Sequence, residues 1–277
     1  MDSVASYTIA LLFALLVHGL LIAMIGFNWS DETTAVADIV PYYIDATVVE
    51  QNPYKPRQQQ NENKRKSKIR QRRLEEAENL LRRTLDIREA GGSDHPQVAT
   101  TLSDLGRICR RRGRLAASET LFARALGIRE RGLGDRHPDV ASSLLDLGSV
   151  WREQGLLDEA EPHLRRALRI WIRSLGPEHP NVAMAMNALG DLAWDRGDLK
   201  AAEASYRQSL RVRRTSLPAG HLDTGISLNA LGRTLRARGR DKEAERLYAE
   251  ALALWIEALG PEHPRVAELE SEHAEGR

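Results

Sequence analysis

The stretch HPQVATTLSDLGRICRRRGRLAASETLFARALGIRERGLGDR, residues 95–136, decides the fold because the chain repeats its pattern three more times. Five histidines stand 42 residues apart, and leucines, glycines and glutamates keep the same spacing. The recurring residues are His95, His137, His179, His221 and His263; Leu105, Leu147, Leu189 and Leu231; Gly113, Gly155, Gly197 and Gly239; and Glu119, Glu161, Glu203 and Glu245. A fixed period of 20–50 residues is typical of a solenoid of stacked supersecondary units. The sequence therefore predicts a repeat scaffold.

Each cycle predicts two helices. In the cycle 137–178, apolar residues recur about every 3.6 positions over residues 138–152 and again over 158–174. Pro138 suits the first position of a helix, where a missing N–H costs nothing. Gly155 supplies the positive φ that ends the first helix. The cycle is thus a helical hairpin, and we expect four of them, at residues 95–136, 137–178, 179–220 and 221–262.

The composition fits closely packed helices. The chain of 277 residues has only three Phe, so its core must consist mainly of Leu, Ala and Trp. Cys109 is the single cysteine, which excludes an intrachain disulfide and a cysteine metal site. The net charge of +1 conceals an uneven distribution of basic residues, because residues 1–54 contain no Lys or Arg whereas residues 55–73 contain nine.

The order Leu-Gly, then a second Gly, then Ala-Glu and Ala-Leu, complete in residues 147–168, resembles the tetratricopeptide repeat. The 42-residue period, with Leu-Gly-x-x-His-Pro-x-Val-Ala between units, resembles the variety found in kinesin light chains and many bacterial proteins. The resemblance covers residues 74–275. It implies an all-α fold, a right-handed α-α superhelix whose concave wall is lined by the first helices.

The resemblance also indicates where the solenoid begins and ends. Residues 64–94 are predicted to hold a basic run and a half-repeat helix, and residues 263–277 a capping helix whose outer face meets water. Unit four has Leu222 where other units have Pro and Gly225 where they have Ala. We therefore expect its first helix to start late.

The amino-terminal segment predicts membrane attachment. After a tail at residues 1–7, residues 8–27 form an uncharged apolar run of the length that crosses a bilayer as a helix. A cleaved signal peptide is the alternative, since residues 35–37 read Ala-Val-Ala. Residues 28–63 are polar and proline-containing, and are predicted to be a flexible linker. His18 lies within the span, where an ionisable group is either functional or paired with a neighbouring helix.

The segment HGLLIAMIGFNW (residues 18–29), followed by IDATVVEQNPYKPRQQQ (residues 44–60), resembles the amino terminus of TolA, an envelope protein related to TonB. The resemblance implies a single-pass bacterial inner-membrane protein with periplasmic repeats, and an inner-membrane partner at His18. The family's serine, leucine and second serine are replaced here by Ala14, Ile25 and Trp29. The positive-inside rule, applied to the distant basic cluster, favours instead a cytoplasmic location of the repeats.

The run KRKSKIRQRR, residues 64–73, is the densest basic segment. Such a run either contacts anionic lipid or nucleic acid, or forms the solvated start of a helix. No aromatic residues alternate with the basic ones, so a platform for single-stranded nucleic acid is not supported and nucleic acid is disfavoured as a partner.

The function predicted from these features is binding rather than catalysis. No phosphate loop, His-Glu-x-x-His motif or nucleophile elbow is present, so we expect no enzyme, cofactor or metal. The repeat histidines fall one per unit and predict helix starts. The family's groove positions, carried over to this sequence, are Ser103, Arg107 and Arg110; Leu145, Ser149 and Arg152; Asn187, Asp191 and Trp194; and Asn229, Arg233 and Arg236.

These residues imply a particular ligand. The resemblance assigns Asn187 and Asn229 to the backbone of a bound peptide, because an amide both donates and accepts. Trp194 offers an apolar wall, and the arginines pair with carboxylates. We expect an extended protein segment with acidic and apolar residues. The alternatives are a solvated polar face, and a TolA-like envelope component that couples through its membrane helix. Trp171 and Trp255 share one register and are predicted to pack between units.

Overall fold

A computed structural model describes residues 55–274, with side chains from 60 to 271, as an all-helical structure. The helices are α1 Lys55–Ala90, α2 Pro96–Arg111, α3 Leu115–Leu133, α4 Pro138–Glu153, α5 Leu157–Leu175, α6 Pro180–Asp195, α7 Leu199–Ser216, α8 Leu222–Ala237, α9 Asp241–Leu259 and α10 Pro264–Ala274. The chain divides into two compact units, with the boundary between Lys66 and Ser67. The second unit contains four helical hairpins, α2/α3, α4/α5, α6/α7 and α8/α9, and these are referred to as units one to four.

The repeat histidines are helix caps, as predicted. The imidazole Nδ1 of His95, His137, His179, His221 and His263 accepts a hydrogen bond from the backbone N–H two residues later, at 3.1–3.2 Å. The bond pairs a donor that the first helical turn leaves free. The expectation that unit four starts late is wrong. Helix α8 begins at Leu222, in register with the prolines of the other units, because the His221 cap fixes the start without proline.

Small residues allow the two helices of a hairpin to approach closely. A Cβ on Gly190 of α6 would lie 2.6 Å from the ring of Tyr206 on α7, and one on Gly106 of α2 would lie 2.6 Å from Phe122 on α3. In unit four, Gly225 is equally constrained, since a Cβ there would lie 2.2 Å from the indole nitrogen of Trp255. The glycines therefore determine how near the second helix lies to the first.

A glutamate in each of the second helices α3, α5 and α7 joins one hairpin to the next. Glu119 accepts from Gln154 at 2.9 Å, Glu161 from Arg196, and Glu203 from Arg238 and Arg240. Each partner follows its glutamate by 35 or 37 residues, in the loop that ends the next first helix. This contact explains why glutamate keeps the 42-residue register.

The carboxy-terminal part of α1 occupies the place of a second helix. Leu85 packs against the core cluster that contains Val98 and Leu102, and Glu78 accepts from Arg112 at 2.6 Å and from Arg114. Burial by itself raises the pKa of the Glu78 carboxyl, but the bonds from Arg114 and Arg112 outweigh it and hold this pKa below its usual value.

The amino-terminal predictions fall mostly outside the described residues. The predicted membrane span 8–27, His18 and linker residues 28–54 belong to this group. Residues 55–63, predicted as linker, are instead helical, because Pro56 fits a first turn and Gln, Arg, Glu and Lys are good helix formers. Among residues 55–274, no helix is both long and apolar enough to span a bilayer.

Candidate functional site

The predicted groove residues lie on the first helices. Neighbouring first helices contact one another, α2 with α4, α4 with α6, and α6 with α8. The backbones of the fully described second helices α3, α5, α7 and α9 lie farther apart from one unit to the next, and long side chains such as Arg166 and Glu130 bridge them. The first helices therefore lie closer together and line the inner side of the stack. We call this surface the inner face.

In units one and two, arginines of the inner face are paired with acids of the next first helix. Arg107 donates to Asp146 through Nη2 at 2.8 Å and through Nε at 3.4 Å. The Arg110 guanidinium lies 3.7 Å from Glu153. Burial raises the pKa of the Asp146 carboxyl, and the charge of Arg107 opposes this effect. These arginines already have partners within the protein.

The pairing continues into unit three. Arg152 donates to Asp195 at 2.7 Å and lies 4.0 Å from Asp191. The Asp191 carboxylate also accepts from the Tyr206 hydroxyl at 2.6 Å. Burial raises the pKa of Asp191 and that of Tyr206. Two other predicted groove residues in this region are buried: Leu145 is only 8% exposed and belongs to the main core cluster, and Ser103 accepts a hydrogen bond from Arg129.

The arginines of unit four are placed differently. The Arg233 guanidinium lies over the ring of Trp194, 5.0 Å from its centroid, and that of Arg236 lies at the same distance from Tyr248. Among the described side chains, no carboxylate oxygen lies within 4.0 Å of either arginine. The charge of Arg233 reaches Asp191, where it opposes the effect of burial on the pKa. Both arginines retain donors for a ligand, next to an aromatic surface.

Asn187 is held from behind by a buried polar network. The Ser227 hydroxyl donates to Asn187 Oδ1 at 3.3 Å, and Arg213 donates to Ser227 at 2.7 Å and to the Asp223 carbonyl at 2.6 Å. Ser209 joins the network, at 2.9 Å from Ser227. Burial lowers the pKa of Arg213, which is 4% exposed. The network fixes the orientation of the Asn187 amide.

Asn229 occupies the same register in unit four. Its Oδ1 is buried and has no hydrogen-bond partner among the described protein atoms. An unpaired buried acceptor is costly, so this amide is a candidate to receive an N–H from a ligand after rotation about its terminal bond.

The residues behind the inner face were not singled out by the sequence analysis. Arg129 and Arg213 share the register of Trp171 and Trp255, near the end of each second helix. Both tryptophans are buried, and their indole N–H groups donate to the carbonyls of Pro138 and Leu222 in their own units. The sequence did contain a signal for these buried polar contacts, because arginine alternates with a buried tryptophan at one position of the repeat.

Family models identify the repeats. A tetratricopeptide repeat model matches residues 67–131 and 139–215, and a second tetratricopeptide repeat model matches residues 224–265. A search of curated proteins finds no match to the chain.

Solved structures share the fold. BtubC (BKLC) from P. vanneervenii is 23% identical with a TM-score of 0.59, over 71% of this chain and 79% of that protein. A protein of Podosopora anserina, provisionally named a kinesin light chain and containing nearly identical TPR-like repeats, is 23% identical with a TM-score of 0.53, over 76% of this chain and 99% of that one. The Rap conjugation gene regulator of plasmid pLS20, in complex with the Phr* peptide, is 14% identical with a TM-score of 0.60, over 76% of this chain and 54% of the regulator.

Proposed function

This chain belongs to the tetratricopeptide repeat family, and we propose that it is a scaffold that binds an extended segment of a partner protein on its inner face. Proteins of this family are generally non-catalytic scaffolds, and their fold suits the binding of proteins and peptides. The observation that carries the proposal is the arrangement of Arg233 and Arg236, which lie beside aromatic rings and have no carboxylate partner in the described structure.

The proposed ligand contains acidic and apolar residues. A carboxylate of the ligand pairs with Arg233 or Arg236 through charge-assisted hydrogen bonds. An apolar side chain of the ligand packs against Trp194, and Asn187 and Asn229 bind its backbone. Units three and four therefore form the principal contact. The arginines of units one and two contribute less, because Asp146, Glu153 and Asp195 already neutralise them.

A structural neighbour supports this mode of binding. The Rap regulator, which shares the fold, was solved in complex with a peptide. The likeness concerns the fold alone, so the side chains that contact the ligand are assigned from this chain's own inner face.

Peptide selection tests the proposal. A random peptide library is selected against the full chain, and the affinities of the selected peptides are measured by fluorescence anisotropy. We expect acidic and apolar residues to be enriched. Replacing Arg233 and Arg236 by Gln should weaken binding at least about tenfold, since a hydrogen bond to a charged group contributes about 1.5–3 kcal/mol.

The matched control replaces Arg107 and Arg110 by Gln, which removes the same charge from the other half of the inner face. This control should change the affinity less than about threefold. Equal losses in the two double variants, with both folded by circular dichroism, would refute the assignment to units three and four.

The cellular location of the protein is a separate proposal that rests on the sequence. We propose that residues 8–27 anchor the scaffold in the inner membrane with the repeats in the periplasm. An impermeant thiol reagent applied to intact spheroplasts should label Ser271→Cys in a Cys109→Ser background. Labelling only after lysis would place the repeats in the cytoplasm. In the TolA-like alternative, His18→Ala abolishes function, whereas in the scaffold proposal it leaves peptide binding unchanged.

A further inference from the structure

Two clefts on the second-helix side of the stack are lined by arginines, and they differ in charge pairing. The first, of about 420 Å³, lies where α5 meets the loop before α4, and we call it the α5 cleft. The second, of about 460 Å³, lies between α7 and α9, and we call it the α7 cleft. Each is many times larger than the roughly 30 Å³ that one water molecule occupies in the liquid, so each admits a multi-atom ligand.

In the α7 cleft the arginines of α7 are engaged by carboxylates. Arg207 pairs with Glu203 at 2.8 Å, Arg211 with Glu178 at 2.9 Å, and Arg214 with Glu250 at 2.6 Å. Three of the four arginines that line this cleft are therefore held in internal ion pairs, and Arg246 of α9 is the fourth.

The α5 cleft has a different balance. Four arginines line it, namely Arg136, Arg166, Arg169 and Arg173. Arg166 pairs with Glu130 at 2.7 Å and donates to the Asp135 carbonyl at 3.2 Å. The other three have no carboxylate oxygen within 4.0 Å among the described side chains. Asp135 is the one acidic residue in the lining. Unpaired arginines thus outnumber the acid three to one.

A reversal of charge at one register produces this excess. Arg136 directly precedes the capping residue His137. The residues that directly precede the other capping histidines are Asp94, Glu178, Gly220 and Glu262. Asp94 pairs with Arg131 at 2.7 Å, and Glu178 pairs with Arg211.

Arg169 and Arg173 occupy the same two registers in α5. Arg169 stands 42 residues before Arg211, and Arg173 stands 42 residues after Arg131. Unit two therefore has an arginine in both registers. The acid that pairs with an arginine in units one and three is replaced in unit two by Arg136. Three guanidinium groups border one cleft in place of an ion pair.

We propose that the α5 cleft binds a small anion that carries phosphate groups. A phosphate matches the planar donor fork of arginine in a bidentate manner, and several arginines around one concavity form the arrangement that such an anion requires. The anion supplies the negative charge that Glu178 supplies at the next junction. The cleft is on the opposite side of the stack from the peptide-binding residues, so this site is independent of the proposed function.

Titration calorimetry of the full chain with inorganic pyrophosphate, at constant ionic strength, tests the site. We expect saturable binding of one ion per chain. Arg136→Gln should weaken binding about tenfold or more. Arg136→Glu, which restores the acid of the other junctions, should abolish it. The matched control Arg211→Gln removes one charge from the α7 cleft and should leave binding within about twofold.

Thermal unfolding without anion gives a second readout that a merely structural role would not produce. Arg136→Glu should raise the melting temperature, because it pairs arginines that otherwise repel one another, whereas Arg211→Gln should lower it.

A second titration, with phosphatidylcholine vesicles that contain phosphatidylglycerol, distinguishes the source of the phosphate. Loss of vesicle binding alone in Arg136→Gln identifies a lipid headgroup, and loss of pyrophosphate binding identifies a free anion. Unchanged binding of both, or equal loss in Arg211→Gln, overturns the proposal.

Discussion

The two halves of the inner face use arginine in opposite ways. In units one and two, Arg107 and Arg152 are bound to Asp146 and Asp195 of the following first helix. In unit four, Arg233 lies over an aromatic ring and has no carboxylate partner in the described structure. Residues of one type in equivalent registers therefore join helices in one half and remain available to a ligand in the other.

The difference extends behind the surface. In the carboxy-terminal half, Arg213, Ser227 and Ser209 form a buried network that ends on Asn187. In the amino-terminal half, Arg129 donates to Ser103 and Ser143, and the residues in the Asn187 register are the buried Ser103 and Leu145. The presence of a positioned amide, and not of arginine alone, distinguishes the half that we assign to binding.

The largest effect should come from breaking the network of the carboxy-terminal half. Arg213→Ala removes the side-chain donor to the Asp223 carbonyl, breaks the bond to Ser227 and opens a cavity. We expect it to lower the free energy of unfolding by roughly 2–3 kcal/mol, measured by urea denaturation. The exposed Gln208→Ala on the same helix is the control and should stay within about 0.5 kcal/mol. Equal effects of the two would show that the network does not stabilise the unit.

Glu78→Gln tests whether the amino-terminal half depends on ion pairs. Since the folded-state pKa of Glu78 lies below 4.5, its contribution to stability is present above pH 4.5 and is lost as the pH falls through that lower pKa. We expect a loss of about 1.5 kcal/mol at pH 7. The difference from the wild type should shrink as the pH is lowered below 4.5 in denaturation series. Glu76→Gln, an exposed neighbour, is the control and should stay within about 0.5 kcal/mol at pH 7. A constant difference for Glu78→Gln would contradict the account.

Asp146→Asn should make the amino-terminal half of the inner face resemble the carboxy-terminal half, by removing a carboxylate that pairs with an arginine. Because burial raises the pKa of Asp146, its charge is held at a cost, and its removal should change the free energy of unfolding by less than about 1 kcal/mol at pH 7. Arg107, left with Asp104 of its own helix at 3.3 Å as its acidic partner, should then bind acidic peptide, which anisotropy would record as an additional binding event. A large loss of stability would show that the Arg107–Asp146 pair is essential to the fold.

Trp194→Leu should have the smallest effect and sharpens the assignment of the aromatic wall. It keeps an apolar surface but removes the ring below Arg233, and a cation–π contact at an exposed site contributes about 0.5–1 kcal/mol. We expect two- to fivefold weaker peptide binding, because Arg233 is no longer held over the ring, and a fall of about 0.5–1 kcal/mol in the free energy of unfolding. An unaltered affinity would indicate that Trp194 provides area alone.

Periodicity predicted the hairpins because every unit packs the same faces. His95 and its equivalents, Gly155 and Pro138 act within a few residues of their own position, so their roles were apparent in the sequence. The register also marked Glu119 and its equivalents, although not their partners. The late start expected for α8 is wrong because the His221 cap fixes the first turn of this helix without proline.

The inner face was harder to predict because it depends on contacts between residues about 40 positions apart. The sequence placed Arg107 and Arg233 in one register but did not reveal that Asp146 neutralises the first. It placed Leu145 in the groove, although the side chain is buried. Exposure and pairing follow from the angle between neighbouring helices, which a repeat pattern does not specify.

A complementary charge swap tests the central claim most directly. A selected acidic peptide is titrated against Arg233→Glu and Arg107→Glu, and then a peptide with its key acid replaced by Lys is titrated against both. We predict that Arg233→Glu weakens the original peptide at least about tenfold and that the Lys peptide restores the affinity on Arg233→Glu alone. Restoration on Arg107→Glu instead, or on neither variant, would contradict the assignment of peptide binding to the carboxy-terminal half of the inner face.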